Sequence, residues 1–285
     1  WYPRLAHCVR QSRAPRDRRQ TPIADSKQLY KSRGSLAELE LGVLAAAQAA
    51  DGDFPHDWQA AWQRWAPESL ATLEAIPWYT GFQCPLPVAA DPLRVRDCGT
   101  LLADGLDQAG FSLAAIRAVA LFPPTFNQRL VACGSKGTLL SEATLQLIHE
   151  LLAPRVDDVA FVFCDKHGGR SKYGPLLQRT FPETLVEVLE ESRARSVYRW
   201  GPANRRVETR FSAKGDRFLP SALASMVAKY LRELAMHAFN TYWQQQLPGL
   251  QPTAGYPVDA RRFRQAIQAR MRQLNIPPAT LWRDR

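Results

Sequence analysis

Seven consecutive residues, "VAFVFCD" at 159–165, constrain this chain more than any other stretch. Every position from Val159 to Cys164 is apolar, and the run stops at Asp165. A half-buried strand alternates apolar with polar residues, whereas a short run without alternation reads as a strand buried on both faces. The run therefore predicts a strand at the centre of an α/β sheet covered by helices. Its final carboxylate would then lie at the C-terminal edge of the sheet, where open α/β folds place their sites.

The flanking sequence supplies partners for such a strand. "SVYRW" at 196–200 and "VETRFS" at 207–212, separated by the turn-prone "GPANRR", predict a hairpin. Asp216 follows, and Pro220 begins a helix to about 240 with Leu223, Val227, Tyr230, Leu231 and Leu234 on one side. Nearer the N-terminus, Ser35 and Glu38 have the spacing of a capping box ahead of a helix over about 36–50, and Asp25 is placed to cap a short helical turn. "CGTLLADGLDQAG" reads as a helix ended by Gly110, "AAIRAVALFP" as a strand closed by Pro123, and a further helix is expected from near Ser141 to just before Pro154.

Residues 51–96 are Trp- and Pro-rich and read as an inserted helical subdomain. Trp58, Trp62 and Trp65 fall at i, i+4 and i+7, a stripe expected to pack inward rather than to stack bases; a protein-docking role would need these rings exposed. A basic helix is expected from about 258 to 274. The expected organisation is a core over 1–240 carrying the insert, followed by a helical extension over 241–285.

The 285 residues are 46% hydrophobic, enough for a sizeable core, and the net charge of +10 favours a polyanionic partner. Arg4, Arg10, Arg13, Arg16, Arg18 and Arg19 make residues 4–19 read as an exposed basic segment. The five cysteines form no C-x-x-C pair and have no His at zinc spacing, so the chain suits a reducing compartment, and no apolar run approaches the ~20 residues that span a bilayer. A cytoplasmic monomer without membrane association is expected. Because the chain opens on Trp1 rather than Met, residues upstream are expected to be missing.

Asp165 at a strand end and Asp216 at a helix entrance are the candidate ligands for magnesium or manganese, which prefer oxygen donors. Each also has a plain structural reading, Asp216 as a helix cap and Asp165 as a residue bonded to the following "KHGG" turn. Spacing alone does not bring them together.

Five stretches in order carry a resemblance. "ADSKQL" at 24–29, the strand ending in Asp165, "KGD" at 214–216, "ALASMVAKYLREL" at 222–234 and "AGYP" at 254–257 are similar to segments of ribonuclease HII. That family reads Asp-Ser-Lys-Lys-Leu, a strand ending Val-Asp, Lys-Gly-Asp, Ala-Ala-Ser-Ile-Leu-Ala-Lys and Lys-Gly-Tyr. The resemblance runs from about 22 to 268 apart from the Trp-rich insert. It implies an RNase H-like mixed sheet flanked by helices, and cleavage of RNA–DNA hybrids, or of DNA containing ribonucleotides, with two Mg2+ or Mn2+ ions. It further implies Asp165 and Asp216 as metal ligands, Tyr256 as the residue packing on the sugar, and Lys214, Lys229 and Arg232 as contacts to nucleic acid.

The departures are equally specific. Ribonuclease HII begins with a strand carrying an Asp-Glu pair and a Gly-Arg-Gly turn, which nothing here matches; Ala254 replaces the Lys of Lys-Gly-Tyr, and Glu233 stands where the family has Asp. Two of four expected carboxylates are thus lacking, and the chain is expected to be an incomplete and nearly inactive form of a divergent ribonuclease HII-like endonuclease. The alternative is a nucleic-acid-binding protein that keeps the scaffold without catalysis.

Overall fold

A computed structural model describes residues 1–12, 17–31, 34–154 and 159–283. Two short strands, β1 (Val9–Arg10) and β2 (Thr21–Pro22), precede α1 (Ser26–Leu29), α2 (Ala37–Asp51), α3 (Trp58–Trp65), α4 (Leu70–Ala75), α5 (Pro92–Gln108), α6 (Pro123–Cys133) and α7 (Lys136–Leu152). Then come β3 (Ala160–Asp165), α8 (Gly174–Thr180), β4 (Glu187–Glu191), β5 (Arg195–Trp200), β6 (Val207–Ser212), α9 (Leu219–Gln246), α10 (Pro257–Gln273) and α11 (Pro278–Leu281). The chain divides into two compact units, one of residues 1–127 with 223–285 and one of residues 128–222. Position 240, the sequence-based domain boundary, falls inside α9. No helix among the described residues is long and apolar enough to cross a membrane.

The first unit is helical. α2 is buried on all sides from Leu39 to Ala47, and Gly42 is in the middle because a Cβ there would lie 2.2 Å from the Pro22 carbonyl oxygen. Glu40, also on α2, is fully buried and accepts hydrogen bonds from the Val88, Ala89 and Ala90 amides at 2.7, 2.6 and 2.8 Å and from the Tyr230 hydroxyl at 2.7 Å. A charge without water must have its lone pairs occupied, and four donors do this while tying the end of the insert to α2 and α9. Trp58, Trp62 and Trp65 are all buried, in the packing role expected of them, so neither a stacking platform nor an exposed docking surface forms there.

Three local expectations need correction in this unit. The Ser35/Glu38 capping box forms only in part: the Ser35 hydroxyl accepts from the Ala37 amide at 3.3 Å, but Leu36 occupies the cap position and Glu38 pairs with Arg10 and, at 3.1 Å, with Arg94. Two guanidiniums outcompete one neutral amide for a carboxylate. Residues 112–122 contain no strand; Ala118 donates to the Trp65 carbonyl at 2.7 Å, but among the described residues no neighbouring strand completes a ladder. The basic N-terminal segment is exposed at Arg4, Arg18 and Arg19 as expected, but Leu5, Cys8, Val9 and Arg10 are buried, and the Arg4 guanidinium lies 4.5 Å from the Phe111 ring centre. Arg13 and Arg16 lie outside the described residues.

The second unit is α/β, with a mixed sheet in the order β3-β6-β5-β4. β3 runs parallel to β6, and β6–β5–β4 is an antiparallel meander whose first two strands are the predicted hairpin. Leu145, Ile148, Tyr173, Leu176 and Leu177 pack on one sheet face against Tyr198, Trp200, Val207 and Phe211, so helices α7 and α8 flank the sheet. α7 begins earlier than Ser141, because the Ser135 hydroxyl caps the Thr138 amide at 3.1 Å.

β3 is not central. Among the described residues it pairs with β6 alone, and Phe161 is 59% exposed. Its lack of alternation has a different cause: Ala160, Val162 and Cys164 face the helical core, while Phe163 packs on Phe218 at 4.8 Å between ring centres. Two apolar faces do not require two neighbouring strands. The C-terminal placement of Asp165 is unaffected.

Candidate functional site

Asp165 ends β3 beside Ser212, its register partner at the end of the parallel strand β6. After Ser212 the backbone turns sharply, with Lys214 in the left-handed region at φ 59°, into the short helical turn Gly215–Arg217. The Gly215 amide donates to Asp165 Oδ1 at 3.0 Å. This contact needs glycine: a Cβ on Gly215 would lie 2.8 Å from the Asp165 Cα and 2.9 Å from its nitrogen. The next residue along the chain is Asp216, so the turn brings both predicted carboxylates to one end of the sheet.

Neither structural reading of these aspartates survives. Asp165 is bonded to Gly215 rather than to the following turn, and the Asp216 carboxylate has no hydrogen-bond or ion-pair partner among the described residues, so it caps no helix. The neighbouring groups are otherwise engaged. Lys166 Nζ donates to the Ser192 carbonyl at 2.6 Å and to Ser196 Oγ at 3.0 Å. His167 Nδ1 is 2.9 Å from Ser141 Oγ, and burial, with help from Arg170, pushes its pKa down to about 4. The imidazole is accordingly neutral and structural at pH 7.

The donors fit a hard cation in kind. Asp216 is unengaged, Asp165 uses one oxygen, and Ser212 Oγ, on the same face of the sheet as Asp165, is buried without a partner among the described residues. They do not fit a pair of ions. No group of three or more His, Cys, Asp or Glu able to hold a metal occurs among the described residues, whereas two ions about 3.5–4 Å apart need several convergent carboxylates.

The other predicted residues lie in the first unit. Lys229 and Arg232 are on α9, and Tyr256, 48% exposed, stands at the start of α10. The Arg232 guanidinium lies 5.5 Å from the Tyr256 ring centre and donates to the Ala254 carbonyl at 2.6 Å. Lys229 Nζ lies 5.2 Å from the ring centre of Tyr30, just beyond α1. The Tyr256 loop is itself tightly held: Asn240 bonds both backbone groups of Thr253, and Asp259 accepts from Thr253 Oγ1 at 2.7 Å and the Ala254 amide at 3.0 Å. A cavity of about 240 Å³ lined by Tyr30, Glu233, His237, Asn240 and Ala254 lies alongside. Asp25 caps α1 through the Lys27 amide at 2.9 Å, the structural role expected of it.

Ser212, Gly215 and Tyr30, which the structure sets beside Asp165 and Lys229, were not among the site residues expected from the sequence. The only available signal was the spacing of Lys229, Arg232 and Glu233 at i, i+3 and i+4, which puts them on one helix face. In comparisons with known proteins, no family model matches the chain, and no curated protein or solved structure matches it either.

Proposed function

We propose that this protein is a ribonuclease HII-like member of the RNase H-like superfamily that binds RNA–DNA hybrids or duplexes with embedded ribonucleotides. Asp165 and Asp216 are its ligands for Mg2+ or Mn2+. The observation that carries the reading is the Gly215–Asp165 hydrogen bond, which holds two carboxylates at the C-terminal end of a parallel strand pair. The exposed Tyr256 ring supports it from the first unit, since a flat aromatic face backed by a cation is suited to a sugar or base, and the net charge of +10 suits a polyanion.

In this reading Lys214, Lys229 and Arg232 contact the phosphate backbone, which sets register rather than sequence preference. Asp165 and Asp216 hold a cation; a bound divalent ion supplies charge neutralisation at a scissile phosphate. Hydrolysis by two ions requires carboxylates beyond these two.

That shortfall favours a second reading, a binding protein on the same scaffold that does not cleave. Incubating the protein with a labelled RNA–DNA hybrid and with a duplex bearing one ribonucleotide, in Mg2+ or Mn2+, separates the two. Metal-dependent cleavage that Asp216→Asn abolishes while binding persists supports the nuclease. Binding without cleavage in either metal supports the binding protein, and failure to bind either duplex sinks both.

A further inference from the structure

Glu233 has more partners than its surface position on α9 requires. Its Oε1 accepts from Lys229 Nζ at 3.0 Å and from Arg232 Nη1 at 2.6 Å, and its Oε2 accepts from the Tyr30 hydroxyl at 3.0 Å. The carboxylate is largely buried, with its side chain 13% exposed. A single surface ion pair on a helix does little to fix its donor in place. Three charge-assisted or phenolic donors converging on one shielded carboxylate instead restrict where each donor can sit.

The consequence is clearest for Arg232. Its two terminal nitrogens are used in different directions, Nη1 on Glu233 and Nη2 on the Ala254 carbonyl, which fixes the plane of the guanidinium. That plane lies 5.5 Å from the centre of the Tyr256 ring, and Gly255, at φ 73°, keeps the loop close enough that an added Cβ would meet Arg232 Nη2 at 3.4 Å. The Tyr256 ring is therefore held from below by a cation whose orientation is set by Glu233.

We propose that Glu233 is a positioning residue: it gathers Tyr30, Lys229 and Arg232, and through Arg232 it sets the attitude of the Tyr256 ring toward a ribose in the bound duplex. This rests on the assignment of Tyr256 as a sugar contact made under the proposed function. Without the carboxylate, the Arg232 guanidinium loses one of the two contacts that fix its plane, and the ring loses its support while remaining present.

The test is fluorescence anisotropy of the full chain, in EDTA to prevent cleavage, on a DNA duplex with one embedded ribonucleotide and on the all-DNA duplex of the same sequence. Tyr256→Ala is expected to weaken the ribonucleotide duplex about tenfold and the all-DNA duplex little. Glu233→Gln is expected to lose about fivefold on the same duplex, Glu233→Asp to recover most of it, and Tyr30→Phe, which removes one hydroxyl, to lose about twofold. The double variant of Tyr256→Ala with Glu233→Gln should bind no more weakly than Tyr256→Ala alone, a non-additivity that a general loss of stability does not produce. Unchanged discrimination in Glu233→Gln beside a weakened Tyr256→Ala overturns this inference alone, as does full additivity in the double variant. Unchanged discrimination in Tyr256→Ala overturns the sugar assignment itself.

Discussion

The two groups of candidate residues, one in each compact unit, are built in opposite ways. At the end of the mixed sheet, Asp165 makes one hydrogen bond and Asp216 makes none among the described residues, and a single backbone amide holds them together. Around Tyr256, Asn240, Asp259, Arg232 and Glu233 each make two or more bonds within the cluster. Under the proposed function, carboxylates that take a cation must keep lone pairs open. Under the same proposal, an aromatic ring that meets a flat ligand gains from being immobilised in advance.

This contrast is open to direct attack. The largest effect is expected from Gly215→Ala, since the added methyl meets backbone rather than a movable side chain; the loss should be about 1–3 kcal/mol of stability in chemical denaturation. The same variant should lose any Mg2+- or Mn2+-induced rise in melting temperature, and a wild-type-like melting curve would mean that the turn has slack and does not hold the pair.

Asn240→Ala comes next. It leaves both backbone groups of Thr253 without their side-chain partners, and a loss of about 1–2 kcal/mol is expected, with faster amide exchange confined to residues 253–256. Exchange that stays slow there would show the loop to be held by other contacts.

The acid limb should also distinguish the two groups. The Thr253 hydroxyl, and after it the Ala254 amide and Arg262, draw the Asp259 pKa from 3.8 down to about 2. A depressed carboxylate stabilises the fold fully above its unfolded value and loses that contribution as pH falls through the folded one. The stability difference between wild type and Asp259→Asn should thus be constant above about pH 4 and shrink toward pH 2. A difference independent of pH would remove Asp259 as the ionised anchor of the loop.

The smallest effect belongs to Asp216→Asn. A carboxylate with no partner among the described residues contributes little to folding, so stability should change by less than about 0.5 kcal/mol while divalent-ion binding falls sharply. Pronounced destabilisation would reinstate a structural role for Asp216.

Much of this arrangement was legible in the residues because it is local. The hairpin of β5 and β6 follows from two β-rich runs around a turn-prone hexapeptide, and the Asp25 cap from an acid two residues before a free amide. The burial of Trp58, Trp62 and Trp65 follows from helical spacing. Where a local rule met a distant competitor, it failed. Glu38 had the right spacing to cap α2 and was taken by Arg10 and Arg94, while the apolar run 114–122 found no strand beside it among the described residues.

By itself the sequence determined which elements could form, the apolar two-sidedness of β3 and the presence of Asp165 and Asp216 at element ends, since these depend on spacing and side-chain type within a few residues. Only the tertiary structure decided that β3 pairs on one side among the described residues, that Gly215 closes the two aspartates together, and that Glu233 joins Tyr30 to α9. Each of these unites residues some 50 to 200 positions apart, as in the Gly215–Asp165 and Tyr30–Glu233 bonds. No periodicity encodes such pairings, because they depend on which competing partners the packed chain brings within hydrogen-bonding reach.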